Sequence, residues 1–147
     1  MPERLTLGRP EIEEILPHRD VSLFLDKVEV DGEHTTGYMR VRVDQSPGFP
    51  ILPGALQIEM VAQTLGIASR SLLPEHHIGL FGGVGNCEFI NRTILPGDIV
   101  RAEVEITRKR TNSIKGSGRV FKENQLIGEV NDIIVLIVKT PTSPSPQ

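Results

Sequence analysis

Along residues 35–43 apolar and polar side chains alternate, with Gly37, Met39, Val41 and Val43 on one side and Thr36, Tyr38, Arg40 and Arg42 on the other. That period of two predicts a half-buried strand with a basic outer face. Residues 23–30 suit a preceding strand, and the acidic, glycine-containing junction Val30-Asp31-Gly32-Glu33 suits a hairpin turn between them. The alternation returns at Val100, Ala102, Val104 and Ile106 against Arg101, Glu103, Glu105 and Thr107, just after a Pro96-Gly97-Asp98 turn. Residues 115–121 and 126–138 then complete a meander through a turn at 122–125. Ile133 to Val138 is apolar on both faces, so helix or another subunit is expected to cover part of it. Residues 78–89 read as one strand containing Gly79, Gly82, Gly83 and Gly85, where another backbone or a ligand could approach closely.

Two stretches break the strand pattern with a helical one. Residues 10–16 begin with proline and carry acids in the first turn, which suits a short helix that Pro17 stops. Residues 55–73 run without proline, and as far as Ser69 their only charged side chain is Glu59, beside Gln57, Gln63, Thr64 and Ser69 as polar company. A surface helix carries a wide polar stripe, so this one is expected to be central and buried on most of its circumference. Between strand and helix, Pro47, Pro50 and Pro53 with Gly48 and Gly54 make residues 44–54 a stiff loop. The order predicts an α+β domain in which a curled antiparallel sheet of about six strands wraps one long helix.

Composition narrows this picture. A chain of 147 residues with 38% hydrophobic content supports a single domain, placed at 1–139, with the Pro/Ser-rich residues 140–147 as a disordered tail. A net charge of -3 and an aromatic fraction of 4% without tryptophan argue against nucleic acid as a partner. No apolar run is long enough to span a membrane and no secretory leader is visible, so a cytoplasmic protein without a membrane partner is expected. One cysteine, Cys87, and scattered histidines at 18, 34, 76 and 77 suggest neither a metal site nor a cofactor. Cys87 is expected to be an inert, buried thiol. Gly82-Gly83-Val84-Gly85 lacks the Gly-Lys-Ser/Thr ending of a phosphate loop.

Glu59 is therefore the most informative residue. A lone carboxylate on an apolar helix is costly to desolvate, so it is paired or it is used. Gln63, one turn on, could hydrogen-bond it, and Gly54 at the helix start leaves backbone N–H groups open to a carbonyl oxygen. A carboxylate satisfied by backbone amides, or facing a polar subunit interface, explains Glu59 as well.

The ordered segments Ile15-Leu16-Pro17-His18-Arg19, Leu25-Asp26-Lys27-Val28, residues 47–63 from Pro47-Gly48-Phe49-Pro50 to Ala62-Gln63, and Pro96-Gly97-Asp98 resemble the hotdog-fold 3-hydroxyacyl-[acyl-carrier-protein] dehydratases of type II fatty-acid synthesis. The resemblance spans residues 12–138. It implies a hotdog homodimer or a trimer of dimers, an acyl carrier protein as partner, and a tunnel for a phosphopantetheine-linked acyl chain at each dimer interface. It also implies that Glu59 pairs across the interface with a histidine of the other subunit. Gly48, Phe49, Gly54 and Gln63 are the candidate substrate-binding positions, and His18 belongs to an element that the family uses structurally.

One position departs from the family pattern. With Gly48, Pro50, Pro53 and Gly54 fixing the register, the catalytic histidine falls on Gln45. Dehydration of a 3-hydroxyacyl thioester needs a base at C2 and an acid at the C3 hydroxyl, and an amide cannot take a proton at neutral pH. Glu59 and Gln45 are thus the candidate catalytic residues of an atypical lyase, and a histidine restored at 45 is the change expected to raise dehydration. Two alternatives stand beside it. A hotdog thioesterase could use Gln45, Gly54 and Glu59 to orient and hydrolyse a thioester. A non-catalytic subunit could lend Glu59 to a histidine-bearing paralogue in a heteromer. Arg40, Arg42, Arg101, Arg108, Lys109 and Arg110 could receive an acidic carrier, or be solvated strand faces.

Overall fold

In a computed structural model, residues 4–31, 34–45 and 50–140 are described. Strand β1 (Arg4–Gly8) leads into helix α1 (Arg9–Ile15), followed by β2 (Lys27–Asp31) and β3 (His34–Arg40). The long helix α2 (Gly54–Ser69) comes next and tightens into a 3₁₀ turn at Arg70–Leu72. Strands β4 (His77–Gly83), β5 (Asn86–Phe89), β6 (Ile99–Lys109), β7 (Ser113–Lys122) and β8 (Gln125–Lys139) complete the chain. All pairings are antiparallel, in the order β1-β2-β3-β6-β7-β8-β4, with β5 also on β8.

Eight strands thus stand among the described residues where about six were expected. One addition is β1, too short and too exposed to show an alternation. Another comes from the predicted strand at 78–89, which divides into β4 and β5. The pairing with β8 slips between Phe81 and Gly83, and Gly85 N–H crosses to the carbonyls of Asn131 and Asp132. Residues 23–25 form no strand: Leu23 and Leu25 are fully buried in a loop, their apolar character spent on the helix rather than on a sheet face. Val43 is 77% exposed because the chain leaves β3 after Arg40 and enters a 3₁₀ turn at Val43–Gln45. Gly32, Glu33, Gly48, Phe49 and residues 141–147 of the expected turn, loop and tail lie outside the described residues.

Helix α2 lies in the concavity of the sheet, and of its sixteen residues only Ala55 is exposed. Glycines on the strands beneath make this depth possible. A Cβ on Gly37 would stand 2.3 Å from Thr64 Oγ1, one on Gly116 2.4 Å from Leu65, and one on Gly118 2.6 Å from Val61. The core is aliphatic, with Met60, Val61 and Leu65 of α2 meeting Met39, Val100, Ala102, Val120, Val130 and Ile133 of the sheet. This is the hotdog arrangement. Along β8, Ile133, Val135 and Ile137 point inward, whereas Leu136 on the other face remains 43% exposed. No helix is long and apolar enough to cross a membrane.

Candidate active site

Pro17 ends α1, and the chain continues extended to a one-turn 3₁₀ helix at Asp20–Ser22. Arg19 fixes this stretch by donating from Nη1 to the carbonyls of Leu16 and His18, both at 2.7 Å. Leu23, Phe24 and Leu25 then insert beneath α2. The loop is strapped to the helix by Gln63, which is 1% exposed. Its Oε1 accepts from Phe24 N–H at 2.9 Å, and its Nε2 donates to the Ser22 carbonyl at 2.7 Å and to Glu59 Oε1 at 3.0 Å. The network fixes the amide orientation, because a flipped group would set its oxygen against two acceptors.

The strap brings His18 to Glu59, a pairing the sequence reading did not anticipate. His18 Nε2 lies 3.1 Å from Glu59 Oε1, with the two side chains 31% and 38% exposed. Nδ1 of the same ring is buried and has no hydrogen-bond partner. Oε1 therefore carries both contacts, and no hydrogen bond among the described residues engages Oε2. Glu59 is neither isolated nor satisfied by backbone amides. It is a half-open carboxylate held on one side by two nitrogens.

Gly54 stands five residues before Glu59, at the helix start. The Pro53 carbonyl accepts the N–H groups of Leu56 and Gln57 at 3.0 and 3.2 Å. The Phe89 ring lies across Gly54, 2.5 Å from where a Cβ would be. Behind it sits Gln57, 3% exposed, whose Nε2 donates to the Leu52 carbonyl at 3.0 Å while its Oε1 is buried without a hydrogen bond against Gly128. In the sequence it was marked as one of the few polar side chains of an apolar helix, one turn from Gly54.

Gln45 takes a different course. It is 2% exposed, its Oε1 accepts from Arg42 N–H at 2.8 Å, and its Nε2 lies 3.3 Å from Met39 Sδ. The amide faces the core of its own chain, and no hydrogen bond among the described residues joins it to Glu59. The ground beneath this loop is set by the Pro96-Gly97-Asp98 turn, where Gly97 adopts φ +95° and Gly97 N–H and Val41 N–H exchange hydrogen bonds with Val41 and Asp98 carbonyls. The Leu95 N–H at 2.8 Å, with Lys122 Nζ at 2.9 Å, holds the Asp98 carboxyl below its ordinary pKa of 3.8. Cys87 is half-buried rather than enclosed. A cavity of about 410 Å³ at the far end of α2, lined by Val30, Thr35, Ala68, Leu72 and Ile106 among others, does not reach Glu59.

The model of the FabA-like domain matches residues 16–131, from the His18 loop through the helix to the last strand. The chain belongs to the FabA-like family. Among its curated relatives is the 3-hydroxyacyl-[acyl-carrier-protein] dehydratase FabZ of Bacillus pumilus, 39% identical over 119 residues that cover 75% of this chain and 82% of the relative. The enzyme of the same name from Natranaerobius thermophilus is 34% identical over 139 residues, covering 88% of this chain and 96% of the relative. In fold alone, the chain also resembles a thioesterase from Haemophilus influenzae (TM-score 0.66, 14% identity, 78% of each chain). A mutant thioesterase from Pseudomonas aeruginosa gives a TM-score of 0.64 at 16% identity, over 75% of this chain and 78% of that one. The FabA-like membership agrees with the resemblance first read from the segments at 15–19, 25–28, 47–63 and 96–98.

Proposed function

We propose that this FabA-like protein is a 3-hydroxyacyl thioester dehydratase acting on acyl chains borne by a carrier protein in fatty-acid or related lipid synthesis, with Glu59 as its acid–base group. The observation that carries the reading is the Glu59 carboxylate, anchored through Oε1 by Gln63 and His18 and half-open to solvent, five residues from the Gly54 helix start. The free N–H groups at that start would polarise the thioester carbonyl and acidify C2, and Glu59 would move the proton. The curated relatives support the substrate class. For the carrier, the exposed tip of Arg108, Lys109 and Arg110 between β6 and β7 offers positive charge, whereas Arg101 is already engaged by Glu103 and by the Phe121 ring.

We infer a dimer as the working form. Strand β4 ends the sheet order, and Leu80 and Phe81 on it are 43% and 51% exposed. Pairing β4 with its copy would cover both and close a cleft over Gly54 and Glu59.

Thioester hydrolysis is the second reading, favoured by the single half-open Glu59 carboxylate near the Gly54 helix start, which would suffice to activate a water; the inward turn of Gln45 removes the orienting amide from that version of the site. One assay separates the two. Incubated with a crotonyl thioester, a dehydratase run in reverse removes the enoyl absorbance without releasing thiol. A thioesterase releases free thiol, and that result would overturn the proposal.

A further inference from the structure

A two-proton reaction faces one carboxylate at this site, with the amide at position 45 directed elsewhere. Glu59 Oε1 is held by Gln63 Nε2 at 3.0 Å and His18 Nε2 at 3.1 Å, while Oε2 carries no hydrogen bond among the described residues. An asymmetrically held carboxylate has one oxygen for orientation and one for chemistry. His18 could serve it in two ways, as a second proton carrier or as a fixed donor. Its ring decides between them. Nε2 faces Glu59, so a proton there donates to Oε1, and Nδ1 is buried with nothing to bond. A second ring proton on Nδ1 would have no acceptor in a buried position, which disfavours a ring that cycles protons during turnover. The buried Nδ1 is also out of reach of a substrate. The loop around His18 is correspondingly rigid, with Arg19 gripping the carbonyls of residues 16 and 18 and Gln63 gripping those at 22 and the N–H at 24.

Resting on the dehydratase reading above, we propose that this chain runs the elimination on a single carboxylate, with His18 as the positioning residue that replaces a second acid–base group. Glu59 Oε2 takes the proton from C2 as the C2–H bond breaks and the electron pair passes into the polarised thioester. The same proton then goes to the C3 oxygen as the C3–O bond breaks and the double bond forms between C2 and C3, so that water leaves and Glu59 returns to the carboxylate. His18 keeps its proton throughout. Its Nε2–H, with Gln63, fixes Oε1 so that Oε2 reaches both carbons from one face of the acyl chain.

The test compares His18→Gln, which retains an N–H donor near the position of Nε2, with His18→Leu and His18→Asn, whose side chains have no donor or fall short of Oε1. Hydration of a crotonyl thioester is followed by its absorbance in the full chain, with thermal unfolding as the control for folding. Loss of a hydrogen bond to a charged group predicts a 10- to 100-fold fall in kcat for the leucine and asparagine variants, with KM within about twofold. His18→Gln should recover kcat to within about fivefold of wild type. If His18→Gln falls as far as His18→Leu while both remain folded, His18 itself carries a proton and the single-carboxylate route is overturned. If none of the three variants loses kcat, the ring does not position Glu59 and the proposal likewise fails. Failure of the dehydratase reading looks different: the wild type would not hydrate the enoyl thioester, or Glu59→Gln would do so at full rate.

Discussion

Glu59 and Gln63 stand one helical turn apart on α2, and a single nitrogen of Gln63 serves both the Glu59 carboxylate at 3.0 Å and the Ser22 carbonyl at 2.7 Å. Through this nitrogen Glu59, the acid–base group of the proposed reaction, and the loop that carries His18 are located by the same side chain. Packing and chemistry are therefore coupled at position 63.

Replacing Gln63 by leucine keeps the volume but removes all three hydrogen bonds. Phe24 N–H loses its acceptor in a buried position, an unmade bond that costs about 1–3 kcal/mol. Urea unfolding should show a lower midpoint with an unchanged slope. Activity should fall further than stability explains, because Glu59 loses one of its two anchors. A variant that is destabilised yet fully active per folded molecule would separate the loop from the chemistry.

Glu59→Gln preserves the shape and can still bond Gln63 and His18 after an amide rotation, so the unfolding midpoint should barely move. Turnover should drop by about 10²–10⁴-fold, the usual contribution of general acid–base catalysis. The same enoyl absorbance assay with wild type and variant side by side reads the difference. Full activity in the variant would make Glu59 structural.

These two positions also show what was legible in the sequence. The helix, its burial and the hydrogen bond from Gln63 to Glu59 follow from a proline-free run that lacks a polar stripe and from i, i+4 geometry, both local properties. His18 could not be placed in that way. It lies forty-one residues from Glu59, and its approach depends on Arg19, Leu23 and Leu25 folding a loop under the helix. Gln45 was legible as an unusual residue but not in its direction, since the amide's turn toward Met39 is a choice between two sides of one loop. The split between β4 and β5 was hidden because four glycines carry no inside-or-outside pattern to interrupt.

The close seat of α2 on the sheet makes Gly116 intolerant of a side chain. An added methyl would meet Leu65 at 2.4 Å and the Glu105 carbonyl oxygen at 2.8 Å, and the backbone atom cannot swing aside. Gly116→Ala should destabilise the fold by about 1–3 kcal/mol, the range for overpacked cores. Equilibrium urea denaturation measures it, and a neutral result would mean that β7 shifts freely against the helix.

Asp98 gives the fold an acid-sensitive point. Its folded-state pKa lies below the ordinary 3.8 because the Leu95 N–H and Lys122 bond the ionised form. The stability it contributes is thus fully present above 3.8 and is lost as the pH falls through the lowered folded value. Asp98→Asn should be less stable than wild type at pH 7, and the gap in urea midpoint should narrow below pH 3.8. A gap that stays constant down to pH 2 would place the effect in the turn geometry rather than in the charge.

The sequence pattern alone favours a gain on restoring histidine at position 45, and the structure points the other way. Gln45 is buried, with its amide spent on Arg42 N–H and Met39 Sδ. An imidazole following the same path would meet a thioether and a backbone donor rather than the reacting carbons, and a general base acts only within hydrogen-bond reach of the proton it takes. Gln45→His should therefore leave kcat/KM for crotonyl thioester hydration within about threefold of wild type, at a small loss of stability. A base brought to the substrate would raise activity by an appreciable part of the roughly 10²–10⁴-fold that such a group supplies. A tenfold gain in a folded variant would thus show that the loop before Pro50 turns position 45 toward the substrate in the assembled enzyme, and that Glu59 then shares its proton transfers with a second residue.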